Sequence, residues 1–178
     1  MHILLISGST RPRSSNTLAL HKLHELDHRE VTTELYTELA DLQAFVPAQE
    51  PVPTQVADLL TRIDHADAVL FSTPEYAGGL PGALKNLLDW TVAGGQLYGK
   101  PVAWLDVANP GRGEGARTQL RTVLGYVGAR IIDAACVHVT LDGTGQTLPI
   151  TPAERLQLST AQAELSAALE EDTATRAS

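Results

Sequence analysis

The sequence predicts an α/β protein built on a doubly wound parallel sheet, and three observations carry that prediction. Five short segments have strand character, at 2–7, 31–36, 67–73, 101–107 and 130–139. Five segments with helical spacing of apolar residues lie between or after them, at 15–27, 54–64, 81–93, 114–127 and 152–170. The segments after the first, third and fourth strands are rich in glycine, proline and polar residues, and in such sheets ligands bind outside the carboxyl ends of the strands.

Ile3 to Ile6 form an apolar run suited to a strand buried on both faces. Leu18, Leu20, Leu23 and Leu26 then recur at helical spacing, so a helix begins near Ser15 or Asn16. The intervening GSTRPRSSNT places Ser9, Ser14, Ser15 and Thr17 hydroxyls and the Arg11 guanidinium at a helix N-terminus. Unpaired N–H groups and the helix dipole favour an anion there, and Arg11 offers a bidentate contact to a phosphate. A competing reading makes Ser14, Ser15 or Asn16 only the helix cap, with the arginines solvated. Gly8 is the only glycine between Ile3 and Thr17, so neither the GxGxxG fingerprint nor a P-loop is present. The single cysteine, Cys136, lies far away in IIDAACVHV, so the loop has no thiolate nucleophile. A loop of this kind holds a phosphate and leaves it intact.

The second strand is followed by the Pro-rich loop VPAQEPVP and the second helix. After the third strand, STPEYAGGLPGALKNLLDW combines two prolines and adjacent glycines with a helix whose apolar face includes Leu84, Leu87 and Leu88. Pro81 is expected as a first helical residue, and Gly78 and Gly79 allow backbone to approach a flat ligand closely. After the fourth strand, VANPGRGEGARTQ brings Gly111, Gly113 and Gly115 to the same sheet edge. The polar residues 171–178 are expected to fray, leaving 1–170 as one domain.

A net charge of −8 and a pI near 5.1 argue against nucleic acid or an anionic membrane as the main partner. No leader pattern and no long apolar run is present, so a cytoplasmic protein is expected. One cysteine excludes an internal disulfide. His21, His24 and His28 share a helical spacing, but no cysteine or carboxylate pattern converges on them, so no metal site is assigned.

The pairing of GSTRPRSSN with TPEYAGGLPGALKNLLDW resembles the NADPH-dependent FMN reductase family, which includes related quinone, azo-dye and chromate reductases. The resemblance implies a flavodoxin-like fold with strand order 2-1-3-4-5, bound FMN, and NADPH or NADH as co-substrate. It implies a phosphate loop of Ser9, Arg11, Ser14, Ser15, Asn16 and Thr17. It further implies that Pro74, Glu75, Tyr76, Ala77, Gly78 and Gly79 run along the isoalloxazine ring. Many members carry asparagine where Ala77 stands. Flavin chemistry needs no protein acid or base, so no catalytic residue is assigned. The function implied is hydride transfer from NADPH through FMN to a flavin, quinone or similar small acceptor, with ping-pong kinetics, in a homodimer or homotetramer. A flavodoxin-type electron carrier and a cofactor-free binding domain are the alternatives. Arg112 is read either as a contact to the NADPH 2′-phosphate or as a solvated arginine. Lys85, Asn86, Asp89 and Trp90 are read as structural, with Asp89, Trp90 and Tyr76 open to subunit packing.

Overall fold

The computed structural model describes residues 1–26, 31–141 and 149–176. In chain order the elements are β1 (His2–Ser7), α1 (Ser15–His24), β2 (Thr32–Tyr36), α2 (Thr54–His65), β3 (Ala68–Ser72), α3 (Gly82–Gly94), β4 (Pro101–Asp106), α4 (Glu114–Tyr126), β5 (Arg130–Ile131), β6 (Val137–His138) and α5 (Pro152–Arg176). The strands pair in parallel in the order β2-β1-β3-β4-β5, with β6 also on β4. This is the predicted doubly wound, flavodoxin-like sheet.

Alternation along the central strands explains the layering. Leu4, Ile6, Val69, Phe71, Val102 and Trp104 point to one face, where they meet Val56, Leu59 and Ile63 of α2, Leu84, Leu87 and Leu88 of α3, and Leu120 and Leu124 of α4. Ile3, Leu5, Ala68, Leu70, Ala103 and Leu105 point to the other, against Leu20 and Leu23 of α1 and Leu158, Ala161 and Leu165 of α5. Successive side chains of a strand face opposite sides, so β1 and β3 read as unbroken apolar runs because both sides are covered.

Three boundaries differ from the sequence expectation. The fifth strand, expected over 130–139, is split: a single 3₁₀ turn at Asp133–Ala135 separates β5 from β6, and both pieces lie on β4. The cause is the Asp-Ala-Ala stretch, in which Asp133 turns outward to pair with Arg121 of α4 while Ala135 is buried. Pro81 is the N-cap of α3, with extended backbone, and Gly82 is the first helical residue. Helix α5 runs to Arg176, past the expected end at 170. His28 lies outside the described residues, among which no cluster suited to a metal ion occurs. No helix among them is long and apolar enough to cross a membrane.

Candidate cofactor site

The carboxyl ends of β1, β3, β4 and β6 surround a cleft of about 520 Å³, within the range of roughly 300–1,000 Å³ usual for small-molecule sites. Its first wall is the loop after β1. Ser14 is the N-cap of α1, extended at φ −73° and ψ 138°, and its Oγ accepts from the Asn16 N–H at 3.2 Å. The capping reading therefore holds for Ser14, which is buried and does not line the cleft. Ser9, Arg11, Ser15 and Asn16 do line it. The hydroxyl of Thr17 turns inward to Ser7 Oγ at 2.7 Å. Gly8 has a steric requirement: an added Cβ would lie 2.4 Å from Thr73 Oγ1, so a side chain there would force the first and third loops apart.

Of the third loop, Pro74, Glu75 and Tyr76 line the cleft, whereas Ala77, Gly78 and Gly79 do not. The Tyr76 N–H donates to Gly79 O and the Gly79 N–H to Tyr76 O, each at 3.0 Å. Between them Ala77 (φ 49°) and Gly78 (φ 78°) make a tight reversal with two positive φ angles, the arrangement of a type I′ turn. Asparagine tolerates that backbone better than alanine does. The turn is fastened to α4. Glu75 Oε2 accepts from the N–H groups of Gly115 (2.8 Å) and Ala116 (3.3 Å), and Gln119 Oε1 accepts from the Leu80 N–H at 2.9 Å. Glu75 thus occupies the positive end of α4 and serves to hold the loop.

The fourth loop contributes Val107, Ala108, Asn109, Pro110, Arg112 and Gly113, and the chain after β6 adds His138 to Leu141. Asp106, the last residue of β4, organises this side. Its Oδ1 accepts from the Ala108 N–H at 3.0 Å, and its Oδ2 receives Arg117 Nη1 at 2.6 Å and lies 3.3 Å from His138 Nδ1. Sequence reasoning did not single out Asp106, Arg117, Thr73 or the His138 wall. The available signal was an aspartate closing an apolar strand ahead of a glycine-rich loop.

The residues read as structural in α3 are so. Asn86 bonds the Phe45 N–H and Gln43 O, Trp90 Nε1 donates to Gln43 O at 2.9 Å, and Lys85 pairs with Asp89 one turn on. Cys136 has no place in the cleft. Burial pushes its thiol up to about 11, so it is protonated at neutral pH.

The donor set fits FMN. Arg11, the Ser9 and Ser15 hydroxyls and the first-turn N–H groups of α1 suit one phosphate, and Pro74, Tyr76, Val107 and Ala108 offer largely apolar walls to a flat ring. Fold and site together define a flavodoxin-like α/β protein with a polar cleft at the carboxyl ends of its strands. The family model for NADPH-dependent FMN reductases matches residues 1–143, and the chain belongs to that family of oxidoreductases, whose cofactor is FMN and whose co-substrate is NAD(P)H. The chain is 34% identical over 127 residues to an NADH:(hydroxy)cinnamate reductase subunit of Vibrio ruber, covering 70% of this chain and 62% of that protein. To a quinone reductase of Escherichia coli K12 it is 30% identical over 140 residues, covering 75% and 74%. Its fold is similar to that of FerB, an NAD(P)H:(acceptor) oxidoreductase from Paracoccus denitrificans, with a TM-score of 0.68 at 23% identity over 93% of this chain and 95% of that one.

Proposed function

We propose that this chain is a cytoplasmic FMN-dependent NAD(P)H oxidoreductase that passes hydride from NADPH, or NADH, to a flavin, quinone or similar small acceptor by a ping-pong mechanism. The observation that carries the reading is the cleft itself. Ser9, Arg11, Ser15 and Asn16, from the loop that enters α1 and its first turn, share the lining with Pro74 and Tyr76 of the third loop and Val107 and Ala108 of the fourth. Family membership supports the cofactor and the reaction class.

Bound FMN supplies a ring nitrogen able to take hydride from a nicotinamide and give it to an acceptor. The chain's own residues supply the seat. Arg11, Ser9, Ser15 and Asn16 hold the phosphate end, while Ser14 and Thr17 keep the loop in shape through the cap and the bond to Ser7. Pro74, Glu75 and Tyr76 would border the ring, with the Ala77–Gly79 reversal closing that wall. Donor and acceptor take turns at the open side of the cleft, with no protein acid or base assigned. A single domain over 1–170, a homodimer or homotetramer as the working form, and no nucleic-acid or membrane partner belong to the same proposal.

Initial rates of NADPH oxidation, measured with the flavin-loaded protein at several quinone concentrations, test it. Parallel double-reciprocal lines are expected. Intersecting lines would remove the ping-pong element, and negligible turnover with every acceptor would favour an electron carrier.

A further inference from the structure

Two serines lie beneath the cleft without lining it. Ser7 closes β1 and Ser72 closes β3, they are partners in the parallel register, and both are fully buried. Each ends an otherwise apolar strand on a polar residue. A hydroxyl buried at such a position must find partners. The partners of these two are Ser9 of the first loop, Asn16 and Thr17 of the first turn of α1, and the carbonyl of Leu105 in β4.

Ser72 Oγ lies 2.9 Å from Asn16 Oδ1 and 2.9 Å from Leu105 O, both acceptors, so its one proton is shared between α1 and the end of β4. Asn16 Oδ1 accepts from Ser72 Oγ and Asn16 also lines the cleft, so this bond bears on how its amide meets a ligand there. Ser7 Oγ lies 2.7 Å from Thr17 Oγ1 and accepts from the Ser9 N–H at 3.3 Å, which ties the start of the loop to the first turn of α1.

We propose that Ser7 and Ser72 are positioning residues for the cofactor's phosphate end. Ser72 fixes which end of the Asn16 amide faces the cleft, and Ser7 fixes Ser9 and Thr17 relative to each other. Neither touches the ligand. The inference rests on the reading of the cleft as the FMN seat and adds a layer to it. A donor already turned toward its ligand loses less orientational freedom on binding, so the pair contributes to affinity without a contact of its own.

Titration of the apo-protein with FMN, followed by quenching of flavin fluorescence, tests this with Ser72→Ala, Asn16→Ala and the double variant, each checked for an unchanged thermal midpoint before loading. Ser72→Ala is expected to weaken FMN binding about fivefold to twentyfold, and to change it less than about twofold once Asn16 is alanine. Ser72→Cys, of similar size but a poor donor, gives a second substitution with the same expected loss if the alanine variant folds poorly. Ser72 variants that bind FMN as tightly as the parent, or losses that multiply fully in the double variant, would overturn the proposal while leaving the seat intact. A parent protein that takes up no FMN would overturn the seat and the proposal together.

Discussion

Lys22 Nζ lies 2.5 Å from Glu154 Oε1, and both side chains are essentially without solvent. The pair joins α1, whose N-cap is Ser14, to the first turn of α5. Glu154 also closes a capping box there, its Oε2 accepting from the Thr151 N–H while its own N–H donates to Thr151 Oγ1. Removing one member of a buried pair strands the other charge, so Lys22→Met is expected to cost about 3–5 kcal/mol in urea unfolding. Lys22→Met combined with Glu154→Leu should cost less than the single change plus the lost cap. A loss below about 1 kcal/mol for Lys22→Met would show that the pair is not desolvated.

Ala77 gives a backbone prediction. Its φ of 49° is a conformation that alanine adopts at a cost and glycine or asparagine adopts readily. Ala77→Asn and Ala77→Gly are expected to stabilise the protein by about 0.5–1 kcal/mol, and Ala77→Val to destabilise it by more. Thermal unfolding of the three variants is the measurement, and a destabilised Ala77→Asn would contradict the turn.

Arg11 gives the ligand prediction. It is an exposed residue of the loop that leads into α1 and lines the cleft. Arg11→Ala removes a charge-assisted contact of roughly 1.5–3 kcal/mol and should weaken FMN binding about tenfold to a hundredfold. Riboflavin, which lacks the phosphate, should bind parent and variant alike. An equal loss for both ligands would place Arg11 away from the phosphate.

Arg112 shares the cleft from the fourth loop and is exposed. If it meets the 2′-phosphate of NADPH, Arg112→Ala should raise KM for NADPH about tenfold and leave KM for NADH within twofold. Equal changes for the two coenzymes would return Arg112 to the solvent.

Cys136 carries the pH prediction. Burial raises its thiol from 9.0 to about 11. Because the folded value lies above the unfolded one, its contribution to stability is complete below about pH 9 and is lost as pH climbs through 11. Alkylation by iodoacetamide should be slow at pH 8 and rise about tenfold per pH unit to near pH 10, with Cys136→Ala removing that part of the alkaline loss of stability. A rate that levels off near pH 9 would mean that the thiol is solvated.

The parts that were legible in the sequence are those with a local cause. β1 and β3 announced themselves because burial on both faces makes a strand uniformly apolar, and GSTRPRSSN did so because its donors are consecutive. Ser14 and Thr17 were read as ligand contacts because a hydroxyl at a helix N-terminus serves equally well as a cap, a ligand donor or a tether. The choice depends on Ser7 and the Asn16 N–H, which composition does not reveal. Glu75 lines the cleft, but its tie to the N-terminus of α4, forty residues on, exists only in the folded chain. The expected fifth strand is interrupted by the turn at Asp133–Ala135, where Asp133 faces outward toward Arg121 of α4, a partner that adjacent sequence does not reveal.

The fastening of Glu75 to α4 also shapes the field at the mouth of the cleft. Its negative charge is offset by the positive end of a helix, which leaves Arg11 and Arg112 as the less compensated charges among the lining residues. On a chain of net charge −8, these two arginines in the cleft wall favour an anionic ligand there. If a polyanionic nicotinamide dinucleotide enters beside these arginines, added salt should slow its arrival more than that of an uncharged quinone.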